Sequence, residues 1–204
     1  MILLGLTGSI AMGKSRAADR FRAFGLPVFD SDAEVHALMA PGGAAVAPVA
    51  AAFPGCLGDG GGVDRSALGR TVLGRAAELR RLEAIVHPLV REAEAAFLAR
   101  HEGAPLVVLD IPLLLETGRD ADCDLVAVVS APEALQRERV LARPGMDEVR
   151  LAAILARQMP DAEKRRRAHV VIDTGRGFDG TQAEVDDLIR ALAGRSGFAL
   201  RPKP

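Results

Sequence analysis

The run Ile2-Leu-Leu-Gly-Leu-Thr-Gly8-Ser-Ile-Ala-Met-Gly13-Lys14-Ser15 constrains this chain more than any other stretch, because a short apolar strand leads straight into G-x-x-x-x-G-K-S. That is the P-loop pattern. Its glycines let the backbone curl into a concave nest of N–H groups. Lys14 adds a point charge for the β- and γ-phosphates, and the Ser15 hydroxyl is a ligand for Mg²⁺. A nucleoside triphosphate is the expected ligand. From Arg16 to Phe24, the apolar positions Ala17, Phe21 and Phe24 define one helical face, and Gly25 closes it. Strand, loop and helix therefore follow in the order the motif requires.

With 204 residues, 49% of them hydrophobic, the chain is sized for one α/β domain carrying an insertion. Twenty-six basic residues against 27 acidic ones leave a formal charge of −1, so no global field draws nucleic acid or an anionic membrane. Cys56 and Cys123 have neither zinc-site spacing nor a disulfide framework around them, which fits a reducing compartment. No apolar run reaches the ~18 residues of a membrane span, and the first residues enter strand and loop without the pattern of a signal peptide. The expectation is a soluble, cytoplasmic protein.

Pro27-Val-Phe-Asp30 reads as a second strand, and Ser31-x-x-Glu34 as a capping box opening a helix with Val35, Leu38 and Met39. Asp32 then has two readings. It is a first-turn carboxylate favoured by the helix dipole, or a catalytic base on the same sheet edge as the loop. From Ala40 to Arg100 the pattern is helical without strands. A helix is expected over 44–53 with Pro48 in its first turn, and Asp64 caps another carrying Leu68, Val72 and Leu73. A third carries Leu79, Leu82, Ile85 and Val86. His87-Pro88 is expected to interrupt it and start a new helix over 88–100. By itself, His87 reads as a capping or surface residue.

Leu106-Val-Val-Leu-Asp110 is a continuous apolar run, typical of a strand buried on both faces. Its terminal Asp110 is a candidate to orient Mg²⁺ beside Ser15, or else a cap. Leu125–Val129 reads as a fourth strand, followed by a capping box at Ser130-Ala-Pro-Glu133. Gln136, Arg139 and Arg143 share a polar helix face, and Arg143-Pro-Gly145 hinges that helix to another over 147–158. Two helices joined this way resemble a kinase lid, whose arginines close over phosphates. Lys164-Arg-Arg-Arg167 reads as a solvated helix end. His169–Asp173 is a fifth strand, and Thr181-x-x-Glu184 caps a last helix with Val185, Leu188, Ile189 and Leu192. The residues from Arg195 onward read as loose.

Taken together, these segments resemble the dephospho-CoA kinase family from Leu4 to about Leu192. The resemblance is carried by Leu6-Thr7-Gly8-Ser9-Ile10 leading to Gly13-Lys14-Ser15, by Val28-Phe29-Asp30-Ser31-Asp32 and by Val63-Asp64-Arg65-Ser66-Ala67-Leu68. It continues through Leu82-Glu83-Ala84-Ile85-Val86-His87-Pro88, Pro112-Leu113-Leu114-Leu115-Glu116, the trio Gln136, Arg139 and Arg143, then Gln158, and Val171-Ile172-Asp173-Thr174-Gly175. It implies an α/β P-loop kinase core with a five-stranded parallel sheet flanked by helices. The core would span about 1–39, 104–134 and 168–194, with a helical acceptor subdomain at 40–103 and a lid at 135–167. It implies transfer from ATP, with Mg²⁺, to the 3′-hydroxyl of dephospho-CoA, by a monomer or small homo-oligomer with no nucleic acid or membrane partner.

The resemblance also implies residue roles. Asp32, Lys14 and Arg139 would be catalytic, Asp32 as the base. Gly8, Ala11, Met12, Gly13, Lys14, Ser15, Arg16, Arg143 and Thr174 would bind the nucleotide. His87, Leu113 and Glu116 would join Asp32 at the acceptor, and Ser15 with Asp110 would hold the metal. The family usually has glycine at Ser9 and Ala11, serine at Met12, threonine at Arg16, asparagine at Thr174 and aspartate at His169. The Cβ of Ala11 matters most, because it removes glycine's freedom where backbone approaches phosphate. Two other readings are a different small-molecule P-loop kinase, such as a nucleoside, shikimate or gluconate kinase, and a non-enzymatic nucleotide switch or RNA-binding module. His87-Pro88 and the helical insertion argue against the first. The absence of Trp and Tyr for base stacking argues against the second.

Overall fold

In the computed structural model, which describes residues 1–193, the opening apolar run is β1 (Ile2–Thr7) and the helix after the loop is α1 (Lys14–Ala23). β2 (Val28–Asp30), α2 (Ser31–Met39), α3 (Val46–Ala52), α4 (Arg65–Val72) and α5 (Ala76–Arg100) follow. Next come β3 (Leu106–Asp110), a 3₁₀ turn over Arg119–Asp122, and β4 (Leu125–Ser130). The described chain closes with α6 (Glu133–Leu141), α7 (Glu148–Leu155), α8 (Asp161–Arg167), β5 (Val170–Asp173) and α9 (Gly177–Ala193). The expected loose segment from Arg195 onward lies outside the described residues.

The five strands form one parallel sheet in the order β2-β3-β1-β4-β5. β1 is central, with Leu6 in register with Asp110 of β3 and Thr7 in register with Val128 of β4. The three strand ends therefore meet where the strand order reverses, the place where open α/β sheets bind ligands. Every residue of β3 is buried, as a strand covered on both faces requires. On one face Leu4, Leu6, Val108 and Val129 pack with Ala17, Phe21, Val185 and Leu188 of α1 and α9. Phe24, expected on that apolar face, is instead 47% exposed, and the Arg20 guanidinium lies 4.8 Å from its ring centre.

The chain divides into two compact units, one formed by Met1–Phe29 with the chain from His101 on, the other by Asp30–Arg100. In the helical unit α2, α3 and α4 each pack against α5. α2, expected with the core, groups here for that reason. Asp64 caps α4 as expected, accepting from the Ser66 and Ala67 amides at 2.9 and 3.0 Å. Two expectations fail. α2 is capped by Asp30, whose carboxylate accepts from Ala33 N at 3.0 Å, so Ser31 is the first helical residue. α5 runs unbroken through Pro88. Proline at that point removes one amide donor, and the neighbouring turns keep the helix intact.

Three starts also differ in the sheet unit. Pro132 precedes α6 without a side-chain cap, because the Ser130 hydroxyl donates to Asp161 instead, at 2.7 Å. α9 begins four residues before the expected cap: Thr181 Oγ1 donates back to the Gly177 carbonyl at 2.9 Å, and Glu184 accepts from Asp173 N at 3.2 Å. β5 starts at Val170, and the preceding His169 accepts the Val126 amide on Nδ1 at 3.0 Å.

Candidate active site

Gly8 leaves β1 beside β4 so closely that a Cβ would lie 2.8 Å from the Val129 carbonyl oxygen and inside its Cγ2 methyl. The turn then uses two residues at positive φ, Ala11 at 58° and Gly13 at 91°. Alanine in this left-handed region costs about 1–2 kcal/mol. The loop's carbonyls are turned away from the helix start and held there. Met12 N donates to Ser9 O at 3.1 Å, Gln136 Nε2 to Ile10 O at 2.9 Å, and Thr174 Oγ1 to Met12 O at 2.6 Å. Arg139 Nη1 is 3.5 Å from Ala11 O, and its Nη2 donates to Thr174 O at 2.8 Å. With carbonyls held outward, the first amides of α1, which have no intrahelical acceptor, face the open side of the loop. That is an anion nest.

Lys14 forms an ion pair with Asp110, whose residue is 2% exposed. The P-loop ammonium is thus stored against the carboxylate that ends β3. Ser15 is exposed at the first turn of α1. Among the described residues no group of three or more His, Cys, Asp or Glu side chains gathers to hold a metal. Mg²⁺ needs no such cage, since it uses one or two protein oxygens together with phosphate and water. A buried carboxylate and a helix-start hydroxyl on either side of the loop lysine are a donor set of that kind.

Thr174, expected to bind the nucleotide, is 2% exposed and spends its hydroxyl under the loop. A Cβ on Gly13 would lie 3.1 Å from the Thr174 Cβ, so loop and bracket are in contact. Arg139 is part of the same bracket. Arg143, one turn further, is exposed, as is Arg16, whose guanidinium lies 5.7 Å from the Phe178 ring centre. Met12 is buried and its sulfur accepts the Ala131 amide at 3.2 Å. Leu113 is 40% exposed. A cavity of about 440 Å³ adjoins the loop, with Ser9, Met12, Gln136, Leu155 and Met159 in its wall.

Glu116 orders its own surroundings: Oε1 accepts Met159 N at 2.8 Å and lies 2.7 Å from Lys164 Nζ. The reading of Lys164–Arg167 as a solvated helix end is therefore corrected at its first residue. Lys164 is fully buried while Arg165, Arg166 and Arg167 are exposed. A helical period links Lys164 to the partly buried Asp161 one turn earlier on the same face, a signal that the basic run masked. In the helical unit, Asp32 is an exposed second residue of α2 and His87 an exposed residue of α5. Asp32 is not the cap of its helix, because Asp30 takes that place.

Comparison with known proteins follows the same lines. The family model described as dephospho-CoA kinase, CoaE, matches residues 2–179. A dephospho-CoA kinase of Mesorhizobium japonicum is 58% identical over 97% of this chain and all of that protein. Among solved structures, TT1252 from Thermus thermophilus is 37% identical with a TM-score of 0.82, over 96% of this chain and 98% of that one. A dephospho-CoA kinase from Campylobacter jejuni is 21% identical with a TM-score of 0.65, over 93% and 96%, which speaks for the fold.

Proposed function

The chain belongs to the dephospho-CoA kinase family, and from that premise we propose that it transfers the γ-phosphoryl group of ATP to the 3′-hydroxyl of dephospho-CoA. The observation that carries this reading is that the family match spans the P-loop and the helical unit alike, from residue 2 to 179, and not the loop alone. A P-loop is common to many kinases; what differs among them is the acceptor site.

In this reading the outward-held carbonyls of Ile10, Ala11 and Met12 leave the amides of Gly13, Lys14 and Ser15 for the β- and γ-phosphates, while those of Ile10 and Met12 are spent on Gln158 and Ser9. Lys14 exchanges Asp110 for phosphate oxygens when the nucleotide arrives, which ends this one ion pair of the carboxylate. Ser15 and Asp110 are then the residues that would hold Mg²⁺. When bound, that ion would supply positive charge against the charge developing on the transferred phosphoryl group. Arg139 and Thr174 act from beneath, by fixing the loop, while Arg143 and Arg16 are exposed cations available to the nucleotide. Asp32 accepts the proton of the attacking hydroxyl, with His87 and Leu113 as further acceptor-site residues. Catalysis rests on positioning and on fixed charge more than on covalent chemistry.

The role of Asp32 is tested by Asp32→Asn. The substitution keeps the shape of the side chain, and Asp30 keeps capping α2. Turnover of dephospho-CoA falls by roughly 10²-fold, the lower end of what general-base removal costs, because a loose phosphoryl transition state asks less of a base. ATP affinity by calorimetry stays within about twofold of wild type, under 0.5 kcal/mol. Full turnover in this variant contradicts the assignment.

A further inference from the structure

We propose that Lys164 is a positioning residue for the nucleotide nest, acting through Glu116 on the turn that grips Ile10; the proposal rests on the P-loop reading given above. Four consecutive residues, Gln158 to Asp161, lead into α8, and three of them are tied to elements around the loop. Gln158 Oε1 accepts the Ile10 amide at 3.0 Å, Met159 N donates to Glu116 at 2.8 Å, and the Asp161 carboxylate accepts from Ser130 Oγ at 2.7 Å. Glu116 itself stands on the segment after β3, which is fastened to β1 by Ile111 N donating to Leu6 O at 3.0 Å and Thr7 Oγ1 to Pro112 O at 2.9 Å. Ile10 is thus held from both sides, its carbonyl by Gln136 and its amide by Gln158.

The ion pair behind this grip is poorly explained by stability. Lys164 is fully buried; beyond its 2.7 Å ion pair with Glu116 Oε1, among the described residues its Nζ has no further partner, and Glu116 Oε2 has no hydrogen-bond partner. Burying such groups is costly, and an apolar pair of similar volume commonly serves a fold equally well. What the charge pair provides is a fixed carboxylate. Without the ammonium, an ionised Glu116 is drawn toward water, the Met159 amide loses its acceptor, and Gln158 is no longer held against Ile10. The consequence falls on the geometry of the phosphate-binding amides.

The test uses the full chain and calorimetric binding of a non-hydrolysable ATP analogue, with melting temperatures measured alongside. Lys164→Met is expected to weaken analogue binding about tenfold. Adding Glu116→Gln to Lys164→Met restores affinity to within about threefold of wild type, since the uncharged amide oxygen stays in the buried site and still accepts Met159 N. Adding Glu116→Ala instead leaves binding weak even where the two double variants melt at the same temperature. Equal affinities in these two double variants overturn the proposal, as does wild-type affinity in a folded Lys164→Met. If Lys164→Met alone fails to fold, the two uncharged doubles decide. The assay contains no acceptor, so wild type that binds the analogue yet leaves dephospho-CoA unphosphorylated contradicts the proposed activity and not this inference. Wild type that fails to bind the analogue overturns both.

Discussion

Ala11 carries the strain of the loop. Its φ of 58° is the only positive value among the described non-glycine residues, and its own Cβ opposes that conformation by about 1–2 kcal/mol. Ala11→Gly removes the strain and adds about 0.5–1 kcal/mol of backbone entropy to the unfolded chain. The balance favours the variant, by about 0–1.5 kcal/mol, or a rise in Tm of up to about 6 °C. Analogue affinity is expected to change less than about threefold, because the backbone already has the nest conformation. A thermal melt with paired calorimetry checks both; a lower Tm contradicts the strain argument. The glycine spacing and the Cβ at Ala11 were legible in the sequence, and so was the consequence of a positive φ. The sign of φ was not, because it is set by the tertiary hold of Gln136, Thr174 and Arg139 on the loop's carbonyls. For the same reason the contacts that tie Thr174 and Arg139, both expected at the nucleotide, to the loop's own backbone were not legible.

At the scale of elements, α1 and α9 are clasped by Arg20 and Asp186, with bonds of 2.6 and 2.7 Å. The hydrogen bond from Arg20 holds the Asp186 carboxyl below its ordinary range, with burial opposing and the attraction of Arg20 adding. A carboxyl lowered in the folded state stabilises fully above its unfolded pKa of about 3.9 and loses that contribution as pH falls through the folded value. The Tm difference between wild type and Asp186→Asn is therefore expected to be greatest above about pH 5 and to shrink in acid below about pH 4. A difference that stays constant across that range contradicts the clasp. Strands of continuous apolar residues, such as β3, were plain in the sequence. Helix ends were not. Local cap patterns at Ser31, Ser130 and Thr181 lost to partners distant in sequence or to an earlier start, and Pro88 did not end α5.

For the molecule as a whole, the order of the elements pointed to a P-loop kinase core with a helical insertion, and the five-stranded sheet has that form. The boundary near residue 40 moved to 30 because α2 packs on α5, a contact between segments far apart in sequence. Among the described residues no helix is long and apolar enough to cross a membrane. The central claim is the identity of the acceptor, and ADP release from ATP and Mg²⁺ tests it when a panel holding dephospho-CoA, shikimate, gluconate and nucleosides is offered in turn. Dephospho-CoA is expected to be turned over at least ~10²-fold faster than any other member, a margin of about 2.7 kcal/mol in transition-state binding. Its product should gain one phosphate, and the activity should vanish in Lys14→Ala. Equal or faster ADP release with shikimate, gluconate or a nucleoside would contradict the account.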